Sequence, residues 1–311
     1  MTRPTTQMFD AAATARLTPY AALVDALKRT SIDYAQRRIA SPERLGVPLN
    51  GGGILLSMPA SASDLAIHKL VNVCPGNGSR GLPTIHGQVM AFDADTGETL
   101  FILDGPTVTG RRTAAMSMLG VRTFAAAAPR EFLLIGTGTQ ALNHLEAIGD
   151  LYPQARVWVK GSAPARAEAF CAAHRGKAFE LRPLTQPDAA LPDSIDTVIA
   201  LTTSRQAVYD EAARAGRLVI GVGAFTPEMV EIGARTLAGS ALFVDDMAGA
   251  KHEAGDFIQA GVDWSGVRGI ASVLDNAAWA PSQTPVVFKS VGCAAWDLAA
   301  CRVARQALSA G

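Results

Sequence analysis

Apolar and polar positions follow two different periods along the chain, and the switches between them mark its organisation. Over the first 40 residues the apolar positions recur at helical spacing. Asp10 caps a short first helix in this reading. Thr18-Pro19 then opens a longer one, with Thr18 as N-cap and Pro19 at the first helical position. Ala22, Leu23, Ala26, Leu27 and Tyr34 keep one face of it apolar to about Arg38. From Arg44 to Asp104 the texture changes to short strands and turns. Segments 54–58, 66–73 and 88–92 are strand-like; 93–98 is a turn and 99–103 its return strand, which predicts a hairpin. Residues 106–119 are helical again.

The second half alternates. Strands are expected at 132–135, 156–160, 197–201, 218–222 and 241–245, separated by Ala-rich helical stretches, which predicts a doubly wound parallel sheet. The first of these strands ends in Gly136-Thr137-Gly138, and a helical pattern over 140–148 follows at once. Strand, glycines and helix in that order are the context in which Gly-x-Gly-x-x-Ala means dinucleotide binding. Gly136 permits the tight turn, Gly138 lets backbone approach a pyrophosphate, and Ala141 lets helix and strand pack closely. The helix start, Thr139 and Gln140, adds free N–H groups and a partial positive charge. Beyond Asp263 the pattern loosens: 275–289 reads as a linker and 291–308 as a closing helix. That helix has no place in the nucleotide sheet and is expected to return to the first domain. The expectation is an α/β protein with a Rossmann-type doubly wound parallel sheet over 116–288. A discontinuous α+β domain over 1–115 and 289–311 completes it.

Composition narrows the chemistry. At 311 residues two cores are expected, and Lys+Arg equals Asp+Glu at 28 each, which leaves no electrostatic footprint for nucleic acid or an anionic membrane surface. No apolar run approaches the roughly 18 residues of a spanning helix. The segment Met1 to Gln7 lacks the apolar region of a signal peptide. Cys74, Cys171, Cys293 and Cys301 are scattered without C-x-x-C spacing and read as reduced thiols of a cytoplasmic protein. Five His and four Cys make no ligand cluster, so no metal is expected.

Several segments together resemble the ornithine cyclodeaminase/mu-crystallin family. They are Lys69 followed by 72–83, Asp104 through Arg112-Thr-Ala-Ala115, Gly136 through Ala141, Val222-Gly-Ala-Phe-Thr-Pro227, and Phe288-Lys-Ser-Val-Gly292 with Asp297-Leu298. The resemblance covers nearly the whole chain. It implies a Rossmann domain beside a substrate and dimerisation domain, usually as a homodimer, acting on α-amino or α-imino acids.

That resemblance assigns candidate residues. Arg112, in its Arg-Thr-Ala-Ala context, matches the family's carboxylate-binding arginine, and Arg44 matches a second by position; a guanidinium fork suits a carboxylate. Lys69 matches the catalytic lysine. On an apolar strand it is either an edge guard that snorkels to water or a desolvated ammonium that protonates an imine nitrogen. His86 either lines the substrate pocket or hydrogen-bonds within a strand turn. Ornithine cyclodeaminases carry an aspartate in the segment matching 223–227. Here Phe225 stands there, or Thr226 if the register slips by one, and neither is a base at pH 7. An aromatic there suits an apolar ring and favours reduction of a cyclic ketimine over deamination of ornithine.

Cofactor choice rests on the end of the second nucleotide strand, where NAD sites usually carry an acid. This chain has Lys160 and Ser162 there, with Arg166 one turn later and no acid. Basic side chains at a helix start are electrostatically unfavourable unless they hold an anion. A 2′-phosphate fits, so NADPH is expected, with NADH the weaker alternative. Thr202, Thr203, Val222 and Gly223 follow later strands and border the nicotinamide and ribose in this reading. The expected activity is NADPH-dependent reduction of delta-1-pyrroline-2-carboxylate to L-proline, of delta-1-piperideine-2-carboxylate to L-pipecolate, or of both. Three alternatives stand beside it: an NAD-dependent ornithine cyclodeaminase, an alanine-dehydrogenase-like enzyme, and a non-catalytic binder of mu-crystallin type.

Overall fold

The computed structural model describes residues 6–176, 180–186 and 191–310. The first five residues, within the N-terminus discussed above, and Gly311 lie outside the described residues. Two compact units result: Met1–Arg112 with Cys293–Gly311, and Thr113–Gly292.

The first unit is built on a six-stranded sheet. Its strands are β1 (Gln7–Met8), β2 (Leu45–Pro48), β3 (Ile54–Ser61), β4 (Ala66–Val73), β5 (Ile85–Phe92) and β6 (Thr99–Asp104), in the order β1-β6-β5-β4-β3-β2. All neighbours are antiparallel except β1 with β6. β4 is central, and its Ile67, Lys69 and Val71 are buried while the residues between them are only partly so. Period-2 alternation sets this inward face. Helices Tyr20–Ala35 and Ala294–Ala310 pack on one another, and the latter also packs on β3 and β4. Tyr34 meets Trp296 edge-on at 5.7 Å. Because the C-terminal helix is covered on several sides, every residue from Ala294 to Cys301 is buried. Asp64 fastens that helix by accepting from Arg302 and Arg305.

Thr18 is not the cap predicted for it. It closes the first helix, Ala11–Leu17, its hydroxyl donating to the Thr14 carbonyl at 2.7 Å, and Pro19 occupies the N-cap position of the second. A buried hydroxyl that already has a partner one turn back is not available to cap forward. Asp10 does cap, accepting from Ala13 N–H at 2.8 Å. The helix Gly105–Phe124 is longer than predicted at both ends, and Asp104 satisfies its first turn by accepting from Thr107 N–H at 2.9 Å.

The second unit is an eight-stranded, wholly parallel sheet. Its strands are β7 (Glu131–Ile135), β8 (Arg156–Lys160), β9 (Glu180–Pro183), β10 (Thr197–Ala200), β11 (Leu218–Gly221), β12 (Ala241–Val244), β13 (Arg268–Gly269) and β14 (Val286–Lys289). Their order is β13-β12-β14-β11-β10-β7-β8-β9. The chain runs from β7 outward to β8 and β9, then returns to β10 on the other side of β7. That reversal makes the crevice at the carboxyl ends of β7 and β10 the place where an α/β sheet binds ligands. The fold is therefore α/β, a Rossmann-type doubly wound sheet with an α+β unit assembled from both chain ends.

One segment overturns its reading. Residues 286–289 are not linker but strand β14, hydrogen-bonded between β11 and β12 and buried at every position. The run is too short to show a period, and Lys289 interrupts it. A strand covered on both faces needs no alternation. The edge strands β1, β2, β9 and β13 were also unanticipated. Each has only two to four residues, too few to show a period. Among the described residues, no helix is long and apolar enough to cross a membrane.

Candidate functional site

In the first unit three charged side chains converge under the sheet. Lys69 Nζ on β4 lies 2.6 Å from Asp297 Oδ2 on the C-terminal helix, and Arg112 Nε on the helix Gly105–Phe124 lies 3.2 Å from Asp297 Oδ1. The pairing register explains Lys69: it stands opposite Met58 on one side and Val89 on the other, on the face that packs against helices. A lysine in a central strand cannot be an edge guard, and with 2% of its surface exposed it does not snorkel. Burial pushes its ammonium down to about 8. The Asp297 carboxylate opposes that shift, and the Arg112 and Arg44 charges add to it. The adjacent Arg111 faces elsewhere. Its guanidinium lies 3.9 Å over the Tyr20 ring, and its Nε donates to the Thr18 carbonyl at 2.9 Å. The turn of the helix thus separates a packing arginine from a paired one.

Arg44 stands half-buried immediately before β2, near enough for its charge to act on Lys69. His86 is not part of this group. It is exposed on β5, opposite Asn72, three residues along β4 from Lys69 and hence on the other face of the sheet. There it borders a separate cavity of about 470 Å³ with Met8, Asp10 and Asp104. Asp297, named in the sequence only within a family-matching segment, had no role assigned there. A signal existed: it is the one acid in the run from Cys293 to Cys301, which otherwise consists of Ala, Trp, Leu and Cys. A charge on the apolar stripe of a helix requires a partner.

In the second unit a cleft of about 800 Å³ opens at the carboxyl ends of the strands. Gly136, Thr137, Gly138, Lys160, Ser162, Arg166, Thr202, Thr203 and Ser204 line it. Gly136 has φ of +129°, and a side chain there would stand 2.9 Å from the Leu201 carbonyl, so only glycine fits. Gly138 is different. Its φ is an ordinary −93°, and a Cβ on it would meet nothing within 4 Å, so the protein itself does not require glycine there. It is the N-cap of the helix Thr139–Leu151, and no side chain caps that end. The first-turn N–H groups, including those of Thr139 and Gln140, are thus left for an incoming ligand. Ala141 is fully buried, in keeping with close helix–strand packing. Lys160 ends β8, and Ser162 and Arg166 are exposed beyond it with no acid among the cleft-lining residues.

Val222 and Gly223 do not line that cleft but follow β11 directly. Val222 is buried, and a Cβ on Gly223 would fall 2.0 Å from the Thr202 carbonyl oxygen. Phe225, two residues on, is 41% exposed. Among the described residues no cluster of His, Cys, Asp and Glu is arranged to hold a metal.

With this geometry in place, comparison with known proteins gives a consistent picture. The sequence model of the ornithine cyclodeaminase/mu-crystallin family matches residues 5–311. The delta(1)-pyrroline-2-carboxylate reductase 2 of Burkholderia ambifaria is 61% identical over 302 residues, covering 97% of this chain and 96% of that protein. The delta(1)-pyrroline-2-carboxylate/delta(1)-piperideine-2-carboxylate reductase of Azospirillum brasilense is 60% identical, with 97% and 96% covered. Among solved structures, the Thermococcus litoralis delta(1)-pyrroline-2-carboxylate reductase in complex with NADH and L-proline superposes with a TM-score of 0.87. It is 23% identical, covers 98% of both chains, and shares the fold.

Proposed function

The chain belongs to the ornithine cyclodeaminase/mu-crystallin family, and from that premise we propose that it is a cytoplasmic, NADPH-preferring reductase of cyclic ketimines. Its substrates are delta-1-pyrroline-2-carboxylate and delta-1-piperideine-2-carboxylate, and its products are L-proline and L-pipecolate. The observation that carries the reading is the buried Lys69–Asp297–Arg112 group. The full-length relatives at about 60% identity bear the matching names.

The second unit fits a dinucleotide. Gly138 leaves open space over an uncapped helix start, and Lys160, Ser162 and Arg166 offer donors where a ribose 2′-phosphate belongs. A nicotinamide nucleotide held there would supply hydride chemistry.

The first unit does the rest. Asp297 engages Arg112 through Nε and thereby leaves the terminal guanidinium nitrogens to grip the substrate carboxylate; Arg44 is the second grip. Lys69 keeps a proton on the ring nitrogen. With that proton in place, reduction at C2 would turn the C=N π pair into the nitrogen lone pair, and the product would leave as a secondary amine. An ammonium with its affinity lowered toward neutrality gives up a proton more readily than an ordinary lysine, which is the condition for general-acid work near pH 7. At the position where a cyclodeaminase needs its carboxylate, Phe225 offers no base for an amine. This disfavours the cyclodeaminase reading, although the scaffold alone would host either. The protein acts as a homodimer. Leu45 and Val47, alternate residues on one face of edge strand β2, leave exposed apolar surface of the kind an oligomer covers.

The test is oxidation of NADPH by the purified protein with each ketimine, with NADH in parallel. Turnover of either ketimine with NADPH ahead of NADH is the expected result. No turnover of either, with ammonia released from L-ornithine in the presence of NAD, would overturn it.

A further inference from the structure

We infer that Glu231 is a positioning residue for the nicotinamide end of the cofactor cleft, its one carboxylate holding together the loops that follow β10 and β11. The inference rests on the reading of that cleft as a dinucleotide site.

The geometry is compact. Glu231 is fully buried. One carboxylate oxygen accepts from Thr202 N–H at 2.5 Å; the other accepts from Gly223 N–H at 2.6 Å and Ala224 N–H at 2.9 Å. Thr202 comes two residues after the end of β10, and Gly223 two residues after the end of β11. The two loops also touch directly, since only a glycine at 223 clears the Thr202 backbone. The loop after β10 in turn abuts the glycine turn, where the Leu201 carbonyl crowds Gly136. Thr202, Thr203 and Ser204 form the wall of the cleft. A shift of Glu231 therefore moves that wall.

Glu231 is itself anchored. Its own N–H and that of Ile232 both donate to Asp256 Oδ1, at 2.5 and 2.8 Å. Lys289, on the buried strand β14, places Nζ 2.9 Å from Asp256 Oδ2 and 4.0 Å from Glu231 Oε2. Gly221 leaves room for the Lys289 side chain, which a Cβ there would meet at 3.3 Å. Two carboxylates and one ammonium are thus enclosed together.

Such a group is a costly way to fill a core. Replacing buried ion pairs by apolar side chains of equal volume is often neutral or stabilising. What an apolar residue cannot do is accept three N–H groups from two loops at once and so fix their separation. Orientation of a hydride donor depends on that kind of constraint, because a misplacement of about 1 Å can cost roughly a hundredfold in rate.

The experiment uses Glu231→Gln and Glu231→Asp. Gln presents an amide N–H where one loop also presents N–H, so one of the two ties is lost. Asp keeps the charge facing Lys289 but shortens the reach. Read on folded protein are the Kd of adenosine 2′,5′-bisphosphate, which reports the phosphate end alone, the Kd of NADPH, kcat, the kinetic isotope effect and the thermal midpoint. Both variants are expected to bind the bisphosphate within about twofold of wild type while kcat falls roughly tenfold or more. The kinetic isotope effect with 4-deuterated NADPH is expected to rise as hydride transfer becomes limiting. Unchanged kcat in both variants would overturn the inference. So would a fall in bisphosphate affinity and thermal midpoint that accounts for the whole loss of activity, since that is what a purely structural residue gives. Wild-type protein that binds neither NADPH nor NADH would overturn the cofactor reading instead, and the inference with it.

Discussion

Lys69 Nζ and Asp297 Oδ2 lie 2.6 Å apart, one on the central strand of the first unit's sheet and the other on the chain's last helix. Both are sealed from solvent. Asp297 also engages Arg112, so one carboxylate answers two buried cations. Removing it leaves both without their counter-charge. Breaking a buried pair of this kind costs about 3–5 kcal/mol. Asp297→Asn is expected to lower the thermal midpoint markedly, and a calorimetric scan showing no change would deny the pair its structural weight.

Lys69→Met tests the chemistry separately. Asp297 keeps Arg112 as a partner in that variant, so the protein is expected to fold and to bind NADPH. Loss of a positioned proton donor should lower ketimine reduction by roughly 10²–10⁴. Turnover near the wild-type rate would remove Lys69 from the mechanism.

The pH profile carries a signature. Lys69 is held at about 8 in the folded protein against an ordinary 10.5, so it is charged below about 8 and loses its proton above. If it is the donor, kcat/KM falls as pH rises through about 8. Stability runs the other way. Between 8 and 10.5 the unfolded chain binds more protons at this site than the folded one, so this group's contribution to folding improves with pH. Asp297 raises the lysine's proton affinity, so Asp297→Asn should move the alkaline limb of kcat/KM to lower pH. A limb that stays in place belongs to the substrate imine, not to Lys69.

Cofactor preference is expected to follow Lys160. If Lys160 donates to a 2′-phosphate, Lys160→Glu sets a like charge against it, and hydrogen bonds to charged groups contribute about 1.5–3 kcal/mol. The ratio of kcat/KM for NADPH over NADH should fall roughly tenfold or more. An unchanged ratio would place the phosphate elsewhere.

Acid should loosen the second unit through His144. Its Nδ1 donates to the Gln140 carbonyl at 2.8 Å, and its Nε2 accepts from the Ser117 hydroxyl at 2.8 Å, so the ring is enclosed and neutral. Burial pushes its pKa down to about 4 from 6.5. The folded value lies below the unfolded one, so the contribution is complete above 6.5 and is lost as pH falls toward 4, about 3 kcal/mol in all. Urea midpoints at pH 7 and 4.5 should differ by less in His144→Gln than in wild type. An equal difference would locate the acid sensitivity elsewhere.

The nucleotide half was largely legible because its signals are local. An apolar run, a glycine turn and a helix start are adjacent in the chain, although the Leu201 carbonyl that crowds Gly136 comes from a distant strand end. The central strand β4 declared itself by its apolar, strand-like texture, and the family resemblance picked out Arg112 by its Arg-Thr-Ala-Ala context. Local signals also misled. Thr18-Pro19 has the composition of a helix start, yet the Thr18 hydroxyl turns back to Thr14. Val286–Lys289 looked like linker because four residues carry no period.

Sequence by itself thus determined the α/β class and the strand–glycine–helix turn, and through its family resemblance offered Lys69 and Arg112 as candidate site residues. Tertiary structure alone decided that Asp297 joins Lys69 to Arg112, that His86 stands on the opposite face from them, and that Glu231 spans two loops. The physical reason is desolvation. A charged side chain acquires its partner, its proton affinity and its role only when packing removes water from it. The residues that do so lie on different elements, far apart along the chain.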